Sequence, residues 1–324
     1  MSLFSRRKKQ RLSEAIRPGN YPPLPMPYVD GMITDEERRA LACFAKNIWD
    51  HGAPRNAVIV DGGCYVGAST VALAEGLRHS SLPEPKRRGR ICSYDLFRTT
   101  PAMSEHYLKG SGLKPGDSFQ PIFEKNTSPY ATYIELHAGD IRQASMPAQP
   151  VAILFLDILW SWDCTNFVGS NLYPHLEPGR SLLIHQDFVY PFYPWVILSM
   201  GQLTAFFDFA YNVRHSSVVF DVLRKVRERD IEDPRNISLP TALQIYDKFI
   251  GQLEGWAQGA VALGKALYLA SLNRIEEARR SVDEIAAKFA DEPLVTQYLD
   301  AIRGYCDRAV ANGKPVPLDQ AVGI

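Results

Sequence analysis

The chain has 324 residues, of which 46% are hydrophobic and 22% charged, which is the composition of a globular protein with one large domain and an appendage. Its 36 basic residues balance its 36 acidic ones, and this zero net charge argues against nucleic acid as a partner. No stretch approaches 18 consecutive apolar residues, which argues against a membrane span, and five scattered cysteines predict reduced thiols and a cytoplasmic location.

Three regions are predicted along the chain. Residues 1–30 form a basic and proline-rich arm, residues 31–229 an α/β domain, and residues 230–324 a helical region. The arm contains the basic run Arg6–Lys9 and is expected to be extended from residue 12 onward. The first helix is predicted to begin at Thr34, because Glu37 follows three residues later in the pattern of a capping box, and to end near Asp50.

From residue 56 onward, short apolar runs alternate with helical stretches, which predicts a buried and mostly parallel sheet. The last two runs are separated only by Arg214 to Ser217, so a terminal antiparallel hairpin is expected. The segment from Arg98 to Thr132 is too long for a simple connection and predicts one or two inserted helices. The apolar runs are Ala57–Val60, Arg90–Tyr94, Tyr133–His137, Ala152–Leu156, Ser181–Ile184, Phe209–Val213 and Val218–Leu223.

The strand pattern stops after about Arg224, and residues 240–311 predict three or four amphipathic helices. The breaks are expected near Gly255, Asn273 and Pro293. Residues 266–285 resemble one tetratricopeptide repeat, but a single repeat cannot form a solenoid. Two interpretations of these helices stay open: plain packing or homodimer formation, and a specific partner-binding site.

The strongest chemical signal is the run VIVDGGCYVGAST from Val58 to Thr70. Asp61 ends an apolar strand, a glycine-rich turn follows, and a helix is expected to open at about Ala68. Glycines let the backbone come close to a ligand, and the N–H groups of an opening helix can seat a carboxylate. An acid beside that seat suits an ammonium group, so the pattern indicates an amino-acid ligand such as the one in S-adenosylmethionine.

Two nucleotide alternatives fit the same run poorly. A dinucleotide site needs the spacing G-x-G-x-x-G and an acid about 20 residues further on, whereas Asp95 lies 34 residues after Asp61. A phosphate loop of the Walker type needs G-K-[ST], which does not follow. A glycine turn without any ligand stays open.

Acids also follow the next two predicted strands. Asp95 at the tip of the second strand can accept both ribose hydroxyls of an adenosine, as strand-end acids do in doubly wound folds. Asp140 follows the third strand and could meet the exocyclic amine of adenine, although the pair Gly139–Asp140 is also a common turn.

The fourth and fifth strands end in a third group of polar residues, which should face one cleft. Two carboxylates and an amide oxygen, from Asp157, Asp187 and Gln186, could hold Mg²⁺. Alternatively, His185 or Asp187 could take a proton from a substrate hydroxyl, or His185 could be a hydrogen-bonded core residue. Nearby Trp160 and Trp162 could line a substrate pocket or pack under the next helix.

With these motifs, residues 59–223 resemble class I S-adenosylmethionine-dependent methyltransferases, and most closely the macrocin O-methyltransferase-like branch. The resemblance implies a doubly wound, mostly parallel seven-stranded α/β sheet, with an N-terminal arm and helix and a C-terminal helical appendage. It implies methionine-end contacts near the glycine turn, ribose contacts at Asp95 and adenine contacts at Asp140. The cofactor-binding residues expected are Asp61, Gly62, Gly63, Gly67, Ser69, Asp95, Asp140 and Asp157.

The chain departs from that branch where the chemistry is expected. Leu159 stands at the position of the usual base, and Gln186 replaces one metal-binding carboxylate. The catalytic candidates are therefore His185, Asp187 and Asp157, with Asp163 as another possible base. The Mg²⁺ ligands expected are Asp157, Gln186 and Asp187.

The expected activity is methyl transfer from S-adenosylmethionine to a small-molecule acceptor, more readily at oxygen than at nitrogen, with a natural product or sugar hydroxyl as the implied acceptor. Two alternatives stay open. The fold could bind the cofactor without methylation and act as a scaffold through its C-terminal helices, or it could catalyse another S-adenosylmethionine-dependent reaction.

Overall fold

A computed structural model of the chain describes residues 10–213, 216–315 and 317–318. The basic run Arg6–Lys9 lies outside the described residues, and so do Arg214 and His215 of the predicted hairpin connection.

The N-terminal arm is more ordered than expected. It forms a short helix α1 (Leu12–Ala15) and a 3₁₀ turn (Pro18–Asn20) before an extended stretch. The backbone N–H and the hydroxyl of Ser13 both donate to the Asp221 carboxylate on a buried strand, which ties the arm to the sheet. A proline-rich composition therefore did not prevent local helix formation.

Helix α2 (Asp35–Asn47) begins at the predicted capping box. The Glu37 N–H donates to Thr34 Oγ1 at 3.3 Å, and the Thr34 N–H donates to Glu37 Oε2 at 2.8 Å. The helix ends three residues earlier than expected, because the Ala53 N–H bonds back to the Ile48 carbonyl and closes a turn.

The described residues form a seven-stranded sheet with the order β3-β2-β1-β4-β5-β7-β6. Strands β1 to β5 are parallel, and β7 runs antiparallel to both β5 and β6. The predicted doubly wound, mostly parallel seven-stranded sheet and its antiparallel hairpin are confirmed. The strands are β1 (Val58–Gly62), β2 (Ile91–Asp95), β3 (Ile134–Ala138), β4 (Val151–Leu156), β5 (Leu182–His185), β6 (Phe207–Asn212) and β7 (Val218–Val222).

Helices cover both faces of this sheet, which makes the fold doubly wound. Helix α3 (Ala68–Arg78) packs with α2 on one face, whereas α5 (Trp162–Leu172) and α6 (Pro194–Gln202) cover the other. The predicted insertion holds a π-helical turn (Met103–Tyr107) and helix α4 (Gln120–Thr127). The remaining 3₁₀ turns are Glu84–Lys86, Ser128–Tyr133, Ile141–Gln143, Tyr173–His175, Glu228–Asp230 and Pro234–Asn236.

The C-terminal region forms four helices in the described residues: α7 (Leu239–Ile250), α8 (Gly255–Ser271), α9 (Ile275–Lys288) and α10 (Pro293–Ala311). The breaks near Gly255, Asn273 and Pro293 are confirmed. None of the described helices is long and apolar enough to cross a bilayer.

These C-terminal helices continue the core on the α5/α6 face of the sheet. The ring of Phe249 lies 4.9 Å from that of Phe188 and 6.5 Å from that of Phe220. Burial of one such ring contributes about 1.5–3 kcal/mol, so this contact is a substantial part of the fold. The repeat-like residues Ala278, Val282 and Ile285 belong to the same core, which favours plain packing. A homodimer through these helices and a domain boundary at residue 230 stay predictions.

Candidate functional site

A cavity of about 320 Å³ opens beyond the carboxyl ends of β1, β2, β3 and β4. Its volume is that of a small-molecule site, and open α/β sheets bind their ligands at this edge. Each of the four strand-end loops contributes to its wall. The loop residues on the wall include Gly63, Tyr65, Asp95, Leu96, Gly139, Asp140, Asp157 and Trp160.

The glycine-rich loop after β1 is shaped by two close approaches. Gly63 has φ +89°, and a Cβ there would lie 2.0 Å from the carbonyl oxygen of Asp157. Gly67 has φ +100°, and its Cβ would lie 2.8 Å from Thr127 Cγ2. Both positions therefore require glycine. The neighbouring Gly62 also lies against the loop after β4, because a Cβ at Gly62 would be 3.3 Å from Ile158 Cγ2.

Two further residues at this edge adopt left-handed backbone conformations without being glycine. Tyr65 has φ +45° and Phe97 has φ +50°. Such conformations cost of order 1 kcal/mol each and concentrate at functional sites. Both orient their backbone N–H groups toward the same side chain: Tyr65 N donates to Asp95 Oδ2 at 2.8 Å, and Phe97 N to Asp95 Oδ1 at 2.7 Å.

Asp95 is therefore a carboxylate fixed by two backbone donors in the cavity wall. Burial raises its pKa, and the two backbone hydrogen bonds partly counter that rise because they stabilise the charged form. Each oxygen uses one acceptor position and keeps another, so the side chain can still accept two hydroxyl groups. The geometry fits the ribose role expected for Asp95.

Asp61 and Ser69 lie behind the cavity wall, contrary to the expectation that they contact a ligand. Asp61 is fully buried, and its oxygens accept hydrogen bonds from Ser69 Oγ at 3.0 and 3.1 Å and from Thr70 Oγ1 at 2.5 Å. Burial raises the pKa of Asp61 to about 6. The expected ammonium contact is corrected, because hydroxyls in the first turn of α3 already occupy this carboxylate and tie the loop to the helix.

Asp140 lies at the rim of the cavity and is largely engaged by its neighbour. Its carboxylate accepts from Arg142 Nε at 3.0 Å and from the terminal nitrogen of the same guanidinium at 2.6 Å. These hydrogen bonds lower the pKa of Asp140.

The same rim carries two exposed apolar side chains, Leu96 and Trp160, which suit the faces of a planar ring. By contrast, Trp162 packs against Trp195 with ring centroids 5.5 Å apart.

The carboxyl groups of Asp157 and Asp187 share a hydrogen bond at the inner end of the cavity. Burial raises the pKa of both groups, that of Asp187 to about 7. Two neighbouring carboxylates out of water resist ionising together, so this pair shares a proton near neutral pH. Such a pair can accept a proton from a nearby hydroxyl.

Glu37 lies next to the pair Asp157–Asp187, although its sequence pattern predicted only a role in capping helix α2. It is buried, and its Oε1 accepts from the Ser217 N–H at 3.1 Å and from the Ser217 hydroxyl at 2.8 Å, while Oε2 is held by Thr34. Its negative charge adds to the rise in the pKa of Asp187 and Asp157. A long-range contact between α2 and the β7 region thus tunes the acid pair.

Tyrosines from two distant segments lie within electrostatic range of Asp187. Burial together with the Asp187 charge raises the pKa of Tyr190 and Tyr193, which follow β5, and of Tyr298 on α10, the last to about 12. The rings of Tyr190 and Tyr298 lie 5.7 Å apart in an edge-to-face contact. The C-terminal helices therefore reach the acid pair, which no sequence pattern indicated.

His185 does not face the cleft, so its prediction as a catalytic base is wrong. It is 1% exposed, its Nε2 lies 3.1 Å from the Tyr173 hydroxyl, and its ring packs against Phe220. Burial lowers its pKa to about 3, which keeps the imidazole neutral. The reason is that His185 is still part of β5 and points into the α5/α6 core, whereas the chain turns toward the cavity only after it. The alternative of a hydrogen-bonded core histidine is the one observed.

The residues expected to bind Mg²⁺ do not form a suitable ligand set. The Gln186 side chain donates to Ser216 Oγ at 3.0 Å and accepts from Ser217 Oγ, so both amide atoms are occupied. The remaining two ligands are the proton-sharing carboxyls Asp157 and Asp187, and Mg²⁺ prefers ionised or carbonyl oxygens and several waters. The predicted Mg²⁺ role of Gln186 is therefore corrected.

The other positions considered for a base are also removed from the cavity. Leu159 is buried in the core, and its carbonyl accepts from the Trp195 indole at 2.5 Å. Asp163 lies at the surface, where it forms an ion pair of 3.0 Å with Arg235. Of the candidate bases, Asp157 and Asp187 remain.

Comparisons with known proteins find several solved structures of similar shape. CalS11, a calicheamicin methyltransferase, is 15% identical with a TM-score of 0.42, over 57% of this chain and 78% of that one. An S-adenosylmethionine-dependent O-methyltransferase from Thermotoga maritima is 14% identical with a TM-score of 0.36, over 61% and 68%. The 23S rRNA methyltransferase ErmE is 14% identical with a TM-score of 0.33, over 76% and 90%. No family model and no curated protein matches the chain. At these scores, any assignment of function has to come from the cavity itself.

Proposed function

We propose that this chain binds S-adenosylmethionine in the cavity at the carboxyl edge of the sheet and transfers its methyl group to a hydroxyl oxygen of a small molecule. The observation that carries the proposal is the cavity's wall, in which a glycine loop, Asp95 and Asp157 meet at the ends of adjacent strands. In that wall, Asp95 can accept hydrogen bonds from a diol, and Asp157 can accept a cationic group.

The charge of the wall favours a cationic ligand over a phosphate. Three aspartates, Asp95, Asp140 and Asp157, line the cavity together with Arg98 and Arg142. Asp140 already neutralises Arg142, so Arg98 faces Asp95 and the proton-sharing Asp157. A nucleotide phosphate would meet these acids, whereas the sulfonium and ammonium charges of S-adenosylmethionine are attracted to them.

Each part of S-adenosylmethionine finds suitable groups in the wall. The free acceptor positions of Asp95 suit the two ribose hydroxyls. Leu96 and Trp160 offer apolar surface to the adenine, with Ile141 and the Gly139 backbone beside them. The amino-acid end would bind beside Gly63 and Asp157, which follow β1 and β4 and so lie beyond Asp95 in the strand order from β3 to β4.

When bound, S-adenosylmethionine supplies an activated methyl group, and its transfer to a hydroxyl leaves one proton to be removed. The proton-sharing pair Asp157–Asp187 is placed to take it, since Asp157 lines the cavity and Asp187 lies directly behind it. A pKa near 7 is suitable for a general base at neutral pH. Asp157 and Asp187 thus stand in for the base that Leu159 cannot provide.

The acceptor would enter through a second cavity of about 210 Å³ between the arm and the insertion. Its lining includes Asp30 at the end of the arm, the adjoining Gly31, and Tyr107 of the insertion. Met32 and Tyr65 line both this cavity and the cofactor cavity. The Tyr65 hydroxyl is buried without a hydrogen-bond partner in the described structure, which suits a group that meets a ligand. The choice of a natural product or sugar as acceptor rests on the sequence resemblance alone.

Calorimetry with S-adenosylmethionine and S-adenosylhomocysteine tests the proposal. We expect both to bind the wild type and the affinity to fall about 10- to 100-fold in Asp95→Ala, since hydrogen bonds to a charged group are worth about 1.5–3 kcal/mol. Asp163→Ala is the matched control, because it removes a surface acid outside the cavity. No binding to the wild type, or equal binding to Asp95→Ala, would refute the proposal.

A methylation assay on a panel of hydroxylated acceptors then separates catalysis from binding. Turnover that requires Asp187 supports the proposed reaction. Tight cofactor binding without turnover on any acceptor would instead favour the alternative of a cofactor-binding scaffold.

A further inference from the structure

A second cluster of polar side chains lies at the outer edge of the sheet, on strands β2 and β3. Cys92 on β2 stands directly opposite Glu135 on β3 in the strand register, and His137 follows two residues later on the same face. None of these residues lines the cofactor cavity, to which the same strands contribute Asp95 and Gly139 further along. The cluster is therefore separate from the proposed active site.

The potential ligand atoms of this cluster converge. The Cys92 sulfur, a Glu135 carboxylate oxygen and a His137 ring nitrogen all lie within 4.8 Å of one another. His137 Nε2 and Glu135 Oε1 are 3.4 Å apart, which is longer than a well-formed hydrogen bond. Two ligands about 2.1 Å from a tetrahedral zinc ion are separated by about 3.4 Å, so the observed spacing is that of two zinc ligands.

The imidazole of His137 is held in a fixed plane. It stacks on the Tyr94 ring with a centroid distance of 4.4 Å and an interplanar angle of 8°. Tyr94 is itself buried and donates from its hydroxyl to the Ser145 carbonyl at 3.0 Å. Such support by a neighbouring group reduces the cost of ordering a metal-binding histidine.

We infer that Cys92, Glu135 and His137 form a binding site for one Zn²⁺ ion. Thiolate, imidazole and carboxylate are together the ligands of zinc, whereas Mg²⁺ and Ca²⁺ are bound by oxygen ligands. The sulfur is at the buried end and the Glu135 side chain is 60% exposed, so the ion can enter from solvent and keep a water as fourth ligand. The ion would fasten the edge strand β3 to β2.

Titration of the metal-free full-length protein with Co²⁺ and Zn²⁺ tests the site. We expect one equivalent of Co²⁺ to bind with a thiolate-to-metal absorption band, and Zn²⁺ to displace it and raise the melting temperature. In Cys92→Ser the band should disappear and the Zn²⁺ affinity should fall by roughly 100-fold or more, since loss of even a supporting group costs 10- to 100-fold. Cys306→Ser, another buried cysteine outside the cluster, is the matched control and should behave as wild type.

The exposed Glu135 supplies a variant that does not disturb the core. Glu135→Gln should retain the wild-type melting temperature without metal but lose most of the Zn²⁺ affinity, and this variant carries the test if Cys92→Ser does not fold. Absence of Zn²⁺ binding to the wild type, a Co²⁺ spectrum without a thiolate band, or equal affinities in wild type and Glu135→Gln would overturn the inference. The result does not depend on whether S-adenosylmethionine binds.

Discussion

The two ends of the cavity differ in how their acids are held. At the β2 and β3 end, backbone and side-chain groups of the strand-end loops hold Asp95 and Asp140: the N–H groups of Phe97 and Tyr65 bind Asp95, and the guanidinium of Arg142 binds Asp140. At the β4 and β5 end, Asp187 meets Asp157 and lies near Glu37 and Tyr298, which come from distant parts of the chain. The loops at neighbouring strand ends build the first end, whereas the second end forms only when distant segments of the chain have packed together.

In the proposed reaction, this difference separates the residue that binds the cofactor from the residues that take the proton. Backbone donors stabilise the charged form of Asp95, which suits a permanent hydrogen-bond acceptor. Burial and the neighbouring charge of Glu37 destabilise the charged forms of Asp157 and Asp187, which suits groups that must gain and lose a proton. Variants at the two ends should therefore affect different steps.

The largest expected effect is that of Asp187→Asn on turnover. The variant keeps the size of the side chain but cannot accept the proton, so kcat should fall by about 10²- to 10⁴-fold. Affinity for S-adenosylhomocysteine should change less than twofold, because Asp187 does not line the cofactor cavity. Steady-state kinetics and calorimetry check both, with Asp163→Asn as control. A variant that loses cofactor affinity but keeps kcat would contradict the assignment of Asp187 to proton transfer and not to cofactor binding.

The sequence predicted the β2 and β3 end of the cavity well. The seven strands, the glycine turn and the position of Asp95 follow from apolar periodicity and strand-end acids, which are local properties. The role of Asp61 was mistaken because its occupation by the Ser69 and Thr70 hydroxyls depends on how closely α3 packs.

At the other end, sequence could name strand-end residues but not where they point. His185 and Asp187 are two residues apart, yet His185 lies in the aromatic core, whereas Asp187 meets Asp157 behind the cavity wall. Gln186 is turned away by Ser216 and Ser217, which belong to another strand connection. Side-chain direction at the end of a strand depends on where the strand stops, and apolar periodicity fixes that only to within a few residues.

A second prediction tests how far the glycine loop depends on its contact with the β4 end. Gly63→Ala should destabilise the fold by roughly 2–4 kcal/mol, because it combines a left-handed backbone with a Cβ pressed against the Asp157 carbonyl. Gly52→Ala is the matched control: Gly52 also has φ +100° but has no atom within 4 Å of its Cβ position, so only about 1 kcal/mol is expected. Urea denaturation measures both, and equal losses would mean that the close approach is unimportant.

The acid pair also predicts opposite pH dependences for activity and stability. The base must be ionised to work, so kcat should rise as the pH increases through about 7. The raised pKa of Asp187 means that the folded state holds a proton that the unfolded state releases near pH 4. The stability that comes from this protonation is therefore complete below pH 4 and is lost as the pH rises through about 7.

Urea unfolding of the wild type and Asp187→Asn at pH 5 and pH 8 measures that stability difference. The wild type should lose roughly 1–3 kcal/mol relative to Asp187→Asn between the two values. If the free energy of unfolding changes equally in the two proteins between pH 5 and pH 8, Asp187 titrates as an ordinary exposed carboxyl.

The smallest effect is expected at Tyr298, where the C-terminal helices reach the acid pair. Tyr298→Phe keeps the ring that packs on Tyr190 and removes only a phenol close to the Asp187 charge. Loss of a neutral hydrogen-bonding group should change the kinetics by about two- to tenfold. We expect this change as a higher KM for the acceptor or as an upward shift of the midpoint of the pH–rate profile. The cofactor affinity should stay unchanged. Tyr305→Phe on the same helix is the control, because Tyr305 is also buried but the charges that shift its pKa are those of Cys306 and Arg308. If both variants behave as wild type, the C-terminal helices stabilise the fold but do not influence the reaction. The residues from distant segments that act on the reaction would then be only Asp157, Asp187 and Glu37.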